Sequence, residues 1–409
     1  MKTLLIIGHT YPEPSTTAAG IRMMQLISLF NEQDFDITFA CTALPSEKSV
    51  ELSDIGINLQ SIQLNHSSFD EFIGLLKPII VLFDRYITEE QFGWRVAEQC
   101  PEAMRILDTE DLHFIRKARE EAINKKTPVK EVNLFSENAK RELASIYRSD
   151  VSLIISEAEL EILQQDFKIE KSLLYYLPLL EETPLKDEID KMPSFEERKD
   201  FVTIGNFLHA PNVDSVKYLK KEIWPLIKKQ LPDTQLHIYG AYANDKILAL
   251  HDKKSGFLIK GWAEDVEAVM SKSKICLAPL RFGAGLKGKL LNAMKNGTPS
   301  ITTSIGCEGI NANLPFSGNI ADTAQDFAKA AVALYSSKTN WLQAQQNGFS
   351  IIEKRFRRAL FSEEFKNHMH QLQKNLIHHR KDNFIGQILQ HHTLKSTKYM
   401  SKWIQEKNS

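Results

Sequence analysis

The feature that most constrains this chain is an alternation of short apolar runs with amphipathic helical patterns, which continues through most of its 409 residues. Such alternation is typical of parallel α/β layers. The runs in the first half are TLLIIGH, DITFACT, IIVLFD, MRILDT, VSLIIS and LLYYLP, and those in the second are FVTIGNF, QLHIYGA, FLIKGW, ICLAPL and SITT. They predict buried strands connected by helices, with the opening MKTLLIIGHT as a first strand rather than a signal peptide.

One polar segment divides the alternation into two halves. Residues 181–200, EETPLKDEIDKMPSFEERKD, are charged and contain two prolines, which is typical of an interdomain linker. We therefore predict an α/β fold of two Rossmann-like domains that face a cleft, with a C-terminal helical tail. The predicted parts are an N-terminal Rossmann-like domain, the linker, a C-terminal Rossmann-like domain and a basic helical tail that packs back on the first domain: residues 1–180, 181–200, 201–358 and 359–409.

Composition excludes several classes of protein. The formal net charge of −1 creates no overall attraction to nucleic acid, so no nucleic-acid partner is expected. No apolar run reaches the length of a membrane span. The four cysteines are scattered and form no CxxC pair, which argues against a zinc site or a disulfide framework and favours a cytoplasmic location.

The most informative segment is ICLAPLRFGAGLKGKLLNAMKNGTPSITT, residues 275–303. A buried strand is followed by a glycine-rich loop and then by the start of a helix. Glycines let backbone N–H groups approach an anion, and a helix N-terminus adds partial positive charge. The loop's glycines and cations are Gly283, Gly285, Arg281, Lys287 and Lys289. The pattern predicts a site that neutralises a diphosphate leaving group.

The string GAGLKG also satisfies the dinucleotide fingerprint GxGxxG. That fingerprint requires an acidic residue at the end of the next strand to hold a ribose hydroxyl. Here the strand ends in Thr302-Thr303-Ser304, and Glu308 lies beyond it. Three cations in the loop fit phosphate chemistry better than a nicotinamide site, while a tight turn without any ligand stays open as an alternative.

The order of motifs in the second half resembles the donor domain of family-4 glycosyltransferases. The resemblance rests on GNFLHAPNVDSVKYLKKEIWPLI, LPDTQLHIYG and GWAEDVEAVMSKSKICLAPLRFGAGLKGKLLNAMKNGTPSITT; in the first half, YPEPSTTAAGIRMMQLI, ILDTEDLHFIRKAR and VSLIISEAELEIL match more loosely. It covers roughly residues 1–355. It implies the two-domain GT-B fold, a nucleotide diphosphate sugar as donor, retention of anomeric configuration, no metal or other cofactor, and a setting in surface-polysaccharide assembly.

The resemblance also implies roles for individual residues. The donor-binding set comprises Gly205, Asn206, His209, Gly283, Gly285, Lys289 and Asn292. The catalytic set comprises His113, Arg281 and Lys287, of which the two cations would hold the diphosphate. Gly20 and Arg22 would face the cleft from the acceptor side. His113 would reach the transferred sugar or the acceptor, and a hydrogen-bonded structural histidine beside three acids is its alternative.

Two positions depart from the family pattern. Many members carry two glutamates where this chain has Ala284 and Asn292. The subgroup with a GAGLK-type loop commonly lacks the first glutamate. An asparagine in place of the second can hold a ribose hydroxyl only through a weaker, uncharged hydrogen bond. The predicted function is a metal-independent, hexosyltransferase-type enzyme that acts on a glycan or lipid-linked acceptor, and the alternative is a catalytically silent GT-B protein that binds nucleotide sugar or glycan.

The tail has its own charge pattern. Residues 366–409 contain eight lysines and arginines against two acids, together with several apolar and aromatic residues. A helix that packs back across the domains with a solvated charged face is the favoured interpretation. The alternative is an amphipathic helix that places the protein peripherally on an anionic membrane surface.

Overall fold

The computed structural model describes residues 2–408, without the side chains of Lys130 and of residues 392–395. The N-terminal domain is built on a parallel seven-stranded sheet with the order β3-β2-β1-β4-β5-β6-β7. Its strands are β1 (Lys2–Gly8), β2 (Phe35–Cys41), β3 (Asn58–Ser61), β4 (Ile80–Asp84), β5 (Met104–Asp108), β6 (Val151–Ile154) and β7 (Leu174–Tyr176). Its helices are α1 (Ala18–Asn31), α2 (Ser68–Leu76), α3 (Arg85–Gln99), α4 (His113–Lys125), α5 (Glu137–Arg148) and α6 (Glu157–Gln165).

The C-terminal domain has a parallel six-stranded sheet with the order β10-β9-β8-β11-β12-β13. A short helix in the linker, α7 (Lys186–Ile189), precedes it. Its strands are β8 (Lys199–Ile204), β9 (Leu236–Tyr239), β10 (Phe257–Gly261), β11 (Ser273–Ala278), β12 (Ser300–Thr302) and β13 (Gly318–Ile320). Its helices are α8 (Ala210–Tyr218), α9 (Trp224–Gln230), α10 (Asp245–Leu248), α11 (Val266–Lys272), α12 (Gly288–Lys295), α13 (Ser304–Cys307), α14 (Ala324–Ser336) and α15 (Lys338–Ile351).

The central strands of both sheets are apolar along their length because helices cover both of their faces. In β1, Leu4 to Ile7 are fully buried, and β11 is buried at every position from Ser273 to Ala278. Strands enclosed in this way read as continuous apolar runs rather than alternating ones. The two parallel sheets with their helical layers confirm the predicted fold class.

The chain crosses between the domains twice, and the two crossings run side by side. The backbone N–H of Glu181 donates to the carbonyl of Phe356 at 2.7 Å, and the N–H of Arg358 donates to the carbonyl of Glu181 at 2.9 Å. After the second crossing the tail forms α16 (Ser362–Lys374), α17 (Leu376–Asp382) and α18 (Phe384–Asn408). The second crossing therefore returns the chain to the N-terminal domain.

The first tail helix completes the core of the N-terminal domain. Phe365 is fully buried against Phe30 of α1, with ring centroids 5.4 Å apart, and Met369 lies in the same core cluster. Burial of an apolar side chain of this size contributes roughly 1.5–3 kcal/mol. Helix α16 is thus part of the N-terminal domain's core rather than a detachable appendage.

Candidate active site

The carboxyl ends of the strands in the two sheets face each other across a cleft. In the N-terminal domain, β4 ends at Asp84 and β5 at Asp108; in the C-terminal domain, β11 ends at Ala278 and leads into the glycine-rich loop. Ligands of open α/β sheets bind at this edge. Contacts across the cleft are close, since a Cβ built on Gly285 would lie 2.8 Å from the Cβ of Asp111. The glycine-rich loop therefore lies directly against the N-terminal domain.

The glycine-rich loop adopts a conformation that depends on its glycines. Gly283 and Gly285 have φ angles of 149° and 62°, which L side chains rarely adopt. Helix α12 begins immediately afterwards at Gly288, and among the described residues no side chain caps its first turn. Uncapped N–H groups and the helix dipole together favour an anion at this point.

The two lysines of the loop have different surroundings. Lys287 is 8% exposed, and its Nζ donates to the carbonyls of Ala284 and Gly285 at 3.1 and 2.7 Å, so its ammonium shapes the loop from within. Lys289 donates from Nζ to Oδ1 of Asn212 at 2.7 Å. Burial, together with the charge of Lys287, lowers the pKa of Lys289 to about 8. An ammonium that is poorly solvated in this way gains from a nearby phosphate.

Arg281 differs from its predicted placement. Its Nε donates to Oδ2 of Asp214 at 2.9 Å, a second nitrogen contacts the other carboxylate oxygen, and the guanidinium lies 4.8 Å from the ring centroid of Tyr218. The charge expected to hold the diphosphate is therefore engaged by a carboxylate of α8. In this arrangement Arg281 is paired with a carboxylate, whereas Lys289 donates to a neutral amide oxygen.

The other predicted donor residues form the wall opposite the loop. A Cβ on Gly205 would meet the amide of Asn212 at 2.5 Å, and Nδ2 of Asn212 donates to the carbonyl of Asn206 at 3.0 Å. His209 occupies the N-cap position of α8, and its side chain is open to the cleft. Desolvation by the protein around the cleft, together with the charge of Arg116, lowers the pKa of His209 to about 4. Gly205, Asn206 and His209 therefore lie close to one another at the start of α8. Asn292 lies on α12, where its backbone carbonyl accepts from Nδ2 of Asn296 at 2.9 Å.

On the acceptor side, His113 begins α4 beside Asp111. Nε2 of His113 lies 3.4 Å from Oδ1 of Asp111, and its ring packs edge-on against Tyr86 at 5.5 Å between centroids. Burial, with help from Arg116 and Arg85, lowers the pKa of His113 to about 3 despite that carboxylate. The imidazole is therefore neutral at physiological pH and suited to hydrogen bonding rather than to charge stabilisation.

Arg22 also differs from its predicted placement at the cleft surface. Its side chain is 1% exposed, and its Nε donates to Oδ1 of Asp108 at 2.7 Å while Nη1 donates to the carbonyl of Leu177 at 2.7 Å. Arg22 therefore stabilises the buried carboxylate of Asp108 at the floor of the cleft. Gly20 likewise packs inside, since a Cβ there would meet the backbone of Glu13 at 2.4 Å.

The floor of the cleft contains residues that the sequence motifs did not indicate. Asp84 and Asp108 are register neighbours on β4 and β5, and Oδ2 of Asp84 accepts the backbone N–H of His9 at 2.9 Å. Arg85 and Glu110 follow these strands with φ angles of 71° and 62°. Non-glycine residues in this region are strained, and such strain concentrates at functional sites. An acidic residue at the end of two predicted strands was the signal that could have revealed Asp84 and Asp108.

A second unpredicted residue, Glu159 of α6, joins the two sides. Its side chain is 3% exposed, and Oε1 accepts backbone N–H groups from Leu112 and from Gly285, both at 2.8 Å. Burial and the charge of Asp111 raise the pKa of Glu159 to about 7. Arg119 adds a second bridge through the carbonyl of Gly283 at 2.8 Å. The donor loop is therefore held in place by the N-terminal domain.

The described part of the chain shows neither a metal cluster nor a membrane-spanning helix. Among the side chains that the structure describes, no group of three or more histidines, cysteines or acids is arranged to hold a metal ion. Nor is any helix within residues 2–408 long and apolar enough to cross a membrane.

Two matches to known sequences cover parts of this chain. Residues 198–337 match the family model described as "Glycosyl transferases group 1". An uncharacterized 44.6 kDa protein in the cps region of Klebsiella pneumoniae is 28% identical over 171 residues, which is 40% of this chain. The matched segment spans 44% of that relative's length.

Solved structures resemble the whole chain at low identity. Sucrose-phosphate synthase from Thermosynechococcus elongatus superposes with a TM-score of 0.68 at 14% identity, covering 91% of this chain and 99% of its own. TarM from S. aureus, in a mutant complex with fondaparinux, α-GlcNAc-glycerol and UDP, gives 0.67 at 10% identity with coverage of 90% and 99%. HepE from Anabaena, with UDP and glucose, gives 0.64 at 11% identity with coverage of 90% and 99%. The chain is thus a two-domain protein of the GT-B fold, and its C-terminal domain matches the group 1 glycosyl transferases.

Proposed function

We propose that the protein is a retaining, metal-independent glycosyltransferase of the hexosyltransferase type, which transfers a sugar from a nucleoside diphosphate sugar to a glycan or lipid-linked acceptor. The observation that carries this proposal is a set of groups in the C-terminal domain that are suited to stabilise an anion. Three groups meet at the cleft: the uncapped N-terminus of α12, the loop of Gly283 and Gly285, and the ammonium of Lys289. The match of residues 198–337 to group 1 glycosyl transferases supports the same chemistry.

The reaction has two requirements that different residues meet. As the bond between the anomeric carbon and the diphosphate oxygen breaks, negative charge on the leaving group is stabilised by the α12 N-terminus and by Lys289. The acceptor oxygen forms the new bond to the anomeric carbon on the same face, and its proton passes to the departing phosphate oxygen. This route needs no carboxylate nucleophile. Kinetic trapping of a covalent glycosyl-enzyme would overturn it.

His113 and Asp111 serve the acceptor side in this proposal. His113 is 14% exposed and neutral, so it can exchange a hydrogen bond with a hydroxyl of the transferred sugar or acceptor. Although burial alone would raise it, the pKa of Asp111 is held below its ordinary value chiefly by the guanidinium of Arg116, so the carboxylate stays charged. The carboxylate orients the imidazole across a distance of 3.4 Å.

Two observations favour the alternative of a silent GT-B protein. Asn292 replaces an acidic residue of the family pattern, and Arg281 is paired with Asp214. Substitution of Asn292→Glu distinguishes the two functions. A large gain in turnover indicates a weakened donor site, whereas a silent protein stays inactive.

The first test is thermal-shift screening of the purified protein against UDP, GDP, dTDP, ADP and CMP, with and without EDTA. We expect stabilisation by one nucleoside diphosphate that survives EDTA, because protein groups rather than a metal would hold the phosphates. Stabilisation that EDTA abolishes would refute metal independence. The absence of stabilisation by any nucleotide at millimolar concentration would contradict a working donor site.

A further inference from the structure

The tail carries an unusual concentration of exposed apolar side chains. Among the described residues, seven of the 21 exposed large apolar side chains fall between positions 377 and 403, with exposed fractions from 43% to 68%. They are Ile377, Phe384, Ile385, Ile388, Tyr399, Met400 and Trp403. An exposed apolar patch of this kind marks an interaction surface. We call these seven residues the apolar tail face.

One side of α18 is fixed to the N-terminal domain. A Cβ on Gly386 would lie 2.1 Å from the carbonyl of Tyr147, so the helix backbone rests directly on α5. Further along, Nε2 of Gln390 donates to the carbonyl of Arg148 at 2.9 Å, and the buried Ser401 contacts Oδ1 of Asn65 at 2.9 Å. At 100° per residue these positions lie within one narrow sector of the helix.

Five of the seven residues of the apolar tail face lie on the opposite side of α18, whereas Ile377 belongs to α17 and Met400 lies toward the flank of α18. Phe384 and Ile388 are about 160° and 200° around the helix from Gly386, and Tyr399 and Trp403 repeat the direction four turns later. A helix that is docked along one side would normally be polar on the other. The packing expected in the favoured sequence interpretation is thus present on one side of α18, whereas the other side carries exposed apolar residues beside its charged ones.

Charge identifies the partner. Residues 366–409 contain eight lysines and arginines against two acids, in a chain whose net charge is −1. Lys381 and Lys402 are exposed next to the apolar tail face, and Nζ of Lys407 lies 5.1 Å from the ring centroid of Trp403. Aromatic rings interleaved with lysines suit the headgroup region of an anionic bilayer. Cores of protein interfaces are instead depleted of lysine.

We propose that the apolar tail face docks on the surface of an anionic lipid bilayer. Docking would bring the cleft close to acceptors that are attached to lipids, so it favours a lipid-linked acceptor. This part of the proposal rests on the proposed glycosyltransferase function. Helix α18 packs on α3 and α5. Helix α3 begins at Arg85 on the cleft floor, and Glu142 of α5 accepts the N–H of His113 at 2.9 Å. The membrane face is therefore rigidly connected to the acceptor side of the cleft.

Vesicle sedimentation of the full-length protein tests the proposal. Vesicles of phosphatidylcholine alone are compared with vesicles of phosphatidylcholine and phosphatidylglycerol in equal amounts. We expect binding to be at least about tenfold stronger to the anionic vesicles, and weaker with added salt. Two double variants test the two components of the face: Phe384→Ser with Trp403→Ser, and Lys381→Glu with Lys402→Glu. Each should bind the anionic vesicles at least about tenfold more weakly than the parent protein.

A matched control removes exposed leucines from another surface. Leu248 and Leu342 are 48% and 44% exposed in the C-terminal domain, and their double serine variant should bind vesicles like the parent protein. Equal vesicle binding by the tail variants, or no binding by the parent, overturns the proposal. A third result would also overturn it: the parent protein is a dimer, and the Phe384→Ser, Trp403→Ser variant is a monomer with unchanged vesicle binding. A second copy of the chain would then cover this face.

The nucleotide measurement keeps the two proposals separate. Each sample is also tested for thermal stabilisation by the nucleoside diphosphate identified above. Loss of vesicle binding with normal nucleotide stabilisation in the tail variants supports a distinct docking face. A parent protein that binds nucleotide but not anionic vesicles refutes the membrane proposal alone, and one that binds vesicles but no nucleotide refutes the glycosyltransferase proposal alone.

Discussion

The donor and acceptor sides of the cleft are built in different ways. The donor side is local, since the loop, its glycines and both lysines lie between positions 283 and 289 of one strand-loop-helix unit. The acceptor side is assembled from remote segments, as the ion pair of Arg22 with Asp108 joins residues 86 positions apart. Glu159 then links the two sides across 126 positions. Damage to the acceptor side should therefore reduce folding stability, whereas damage to the donor side should reduce ligand binding.

The largest effect is expected from Arg22→Met. This substitution leaves the carboxylate of Asp108, which is fully buried, without its cation. Removal of one partner of a buried pair costs about 3–5 kcal/mol. Urea denaturation should show a loss of that size in the free energy of unfolding.

Arg141→Met is the matched control for that experiment. Arg141 pairs with Glu90 at the surface, where its side chain is 51% exposed, and exposed pairs contribute at most about 1 kcal/mol. A similar loss of stability in the two variants would show that the floor of the cleft does not depend on the buried pair.

The next effect is expected at Lys289. Lys289→Met removes the cation beside the glycine-rich loop, and loss of one preorganised charge contact lowers binding or rate by about 100-fold. Isothermal titration with the preferred nucleoside diphosphate measures the change. Lys295→Met is the control, because Lys295 of the same helix pairs with Glu267 at 2.9 Å. Equal losses in both variants would contradict a specific phosphate contact.

The same lysine predicts a pH dependence. Burial is the main cause that lowers the pKa of Lys289 to about 8. Its ammonium is therefore present below that pH and lost above it. Diphosphate affinity of the parent protein should therefore fall as the pH rises through about 8, whereas that of Lys289→Met should stay level over the same range. A parallel decline in both proteins would assign the titration to another group.

The contrast between local and remote construction also explains how far the sequence could be interpreted. The eleven apolar runs all became strands, and the glycine-rich loop was recognised because its residues are contiguous. Strands β3 and β13 were missed because they are short edge strands with polar or exposed residues. Arg281 was assigned to the diphosphate and Arg22 to the cleft because a motif cannot show the partners, Asp214 and Asp108, that engage them.

Glu159 tests the connection between the sides, with a smaller expected effect. Glu159→Ala removes the acceptor for the N–H groups of Leu112 and Gly285, and an unmade buried hydrogen bond costs roughly 1–3 kcal/mol. Turnover should fall by about tenfold or more through misplacement of the loop. Glu159→Gln retains an accepting oxygen and should recover most of the rate. If both variants lose the rate equally, charge rather than loop placement is responsible.

The smallest effect is expected at Arg281, and it separates the observed arrangement from the family pattern most directly. Because Asp214 already engages the guanidinium and the side chain is 35% exposed, Arg281→Ala should change diphosphate affinity by no more than about threefold. The comparison variant is Lys289→Met, titrated under the same conditions. A loss at Arg281 as large as that at Lys289 would mean that the guanidinium leaves Asp214 when the donor binds. In that case the donor side, like the acceptor side, would depend on a remote ion pair, and its local construction would extend only to the glycines and the start of α12.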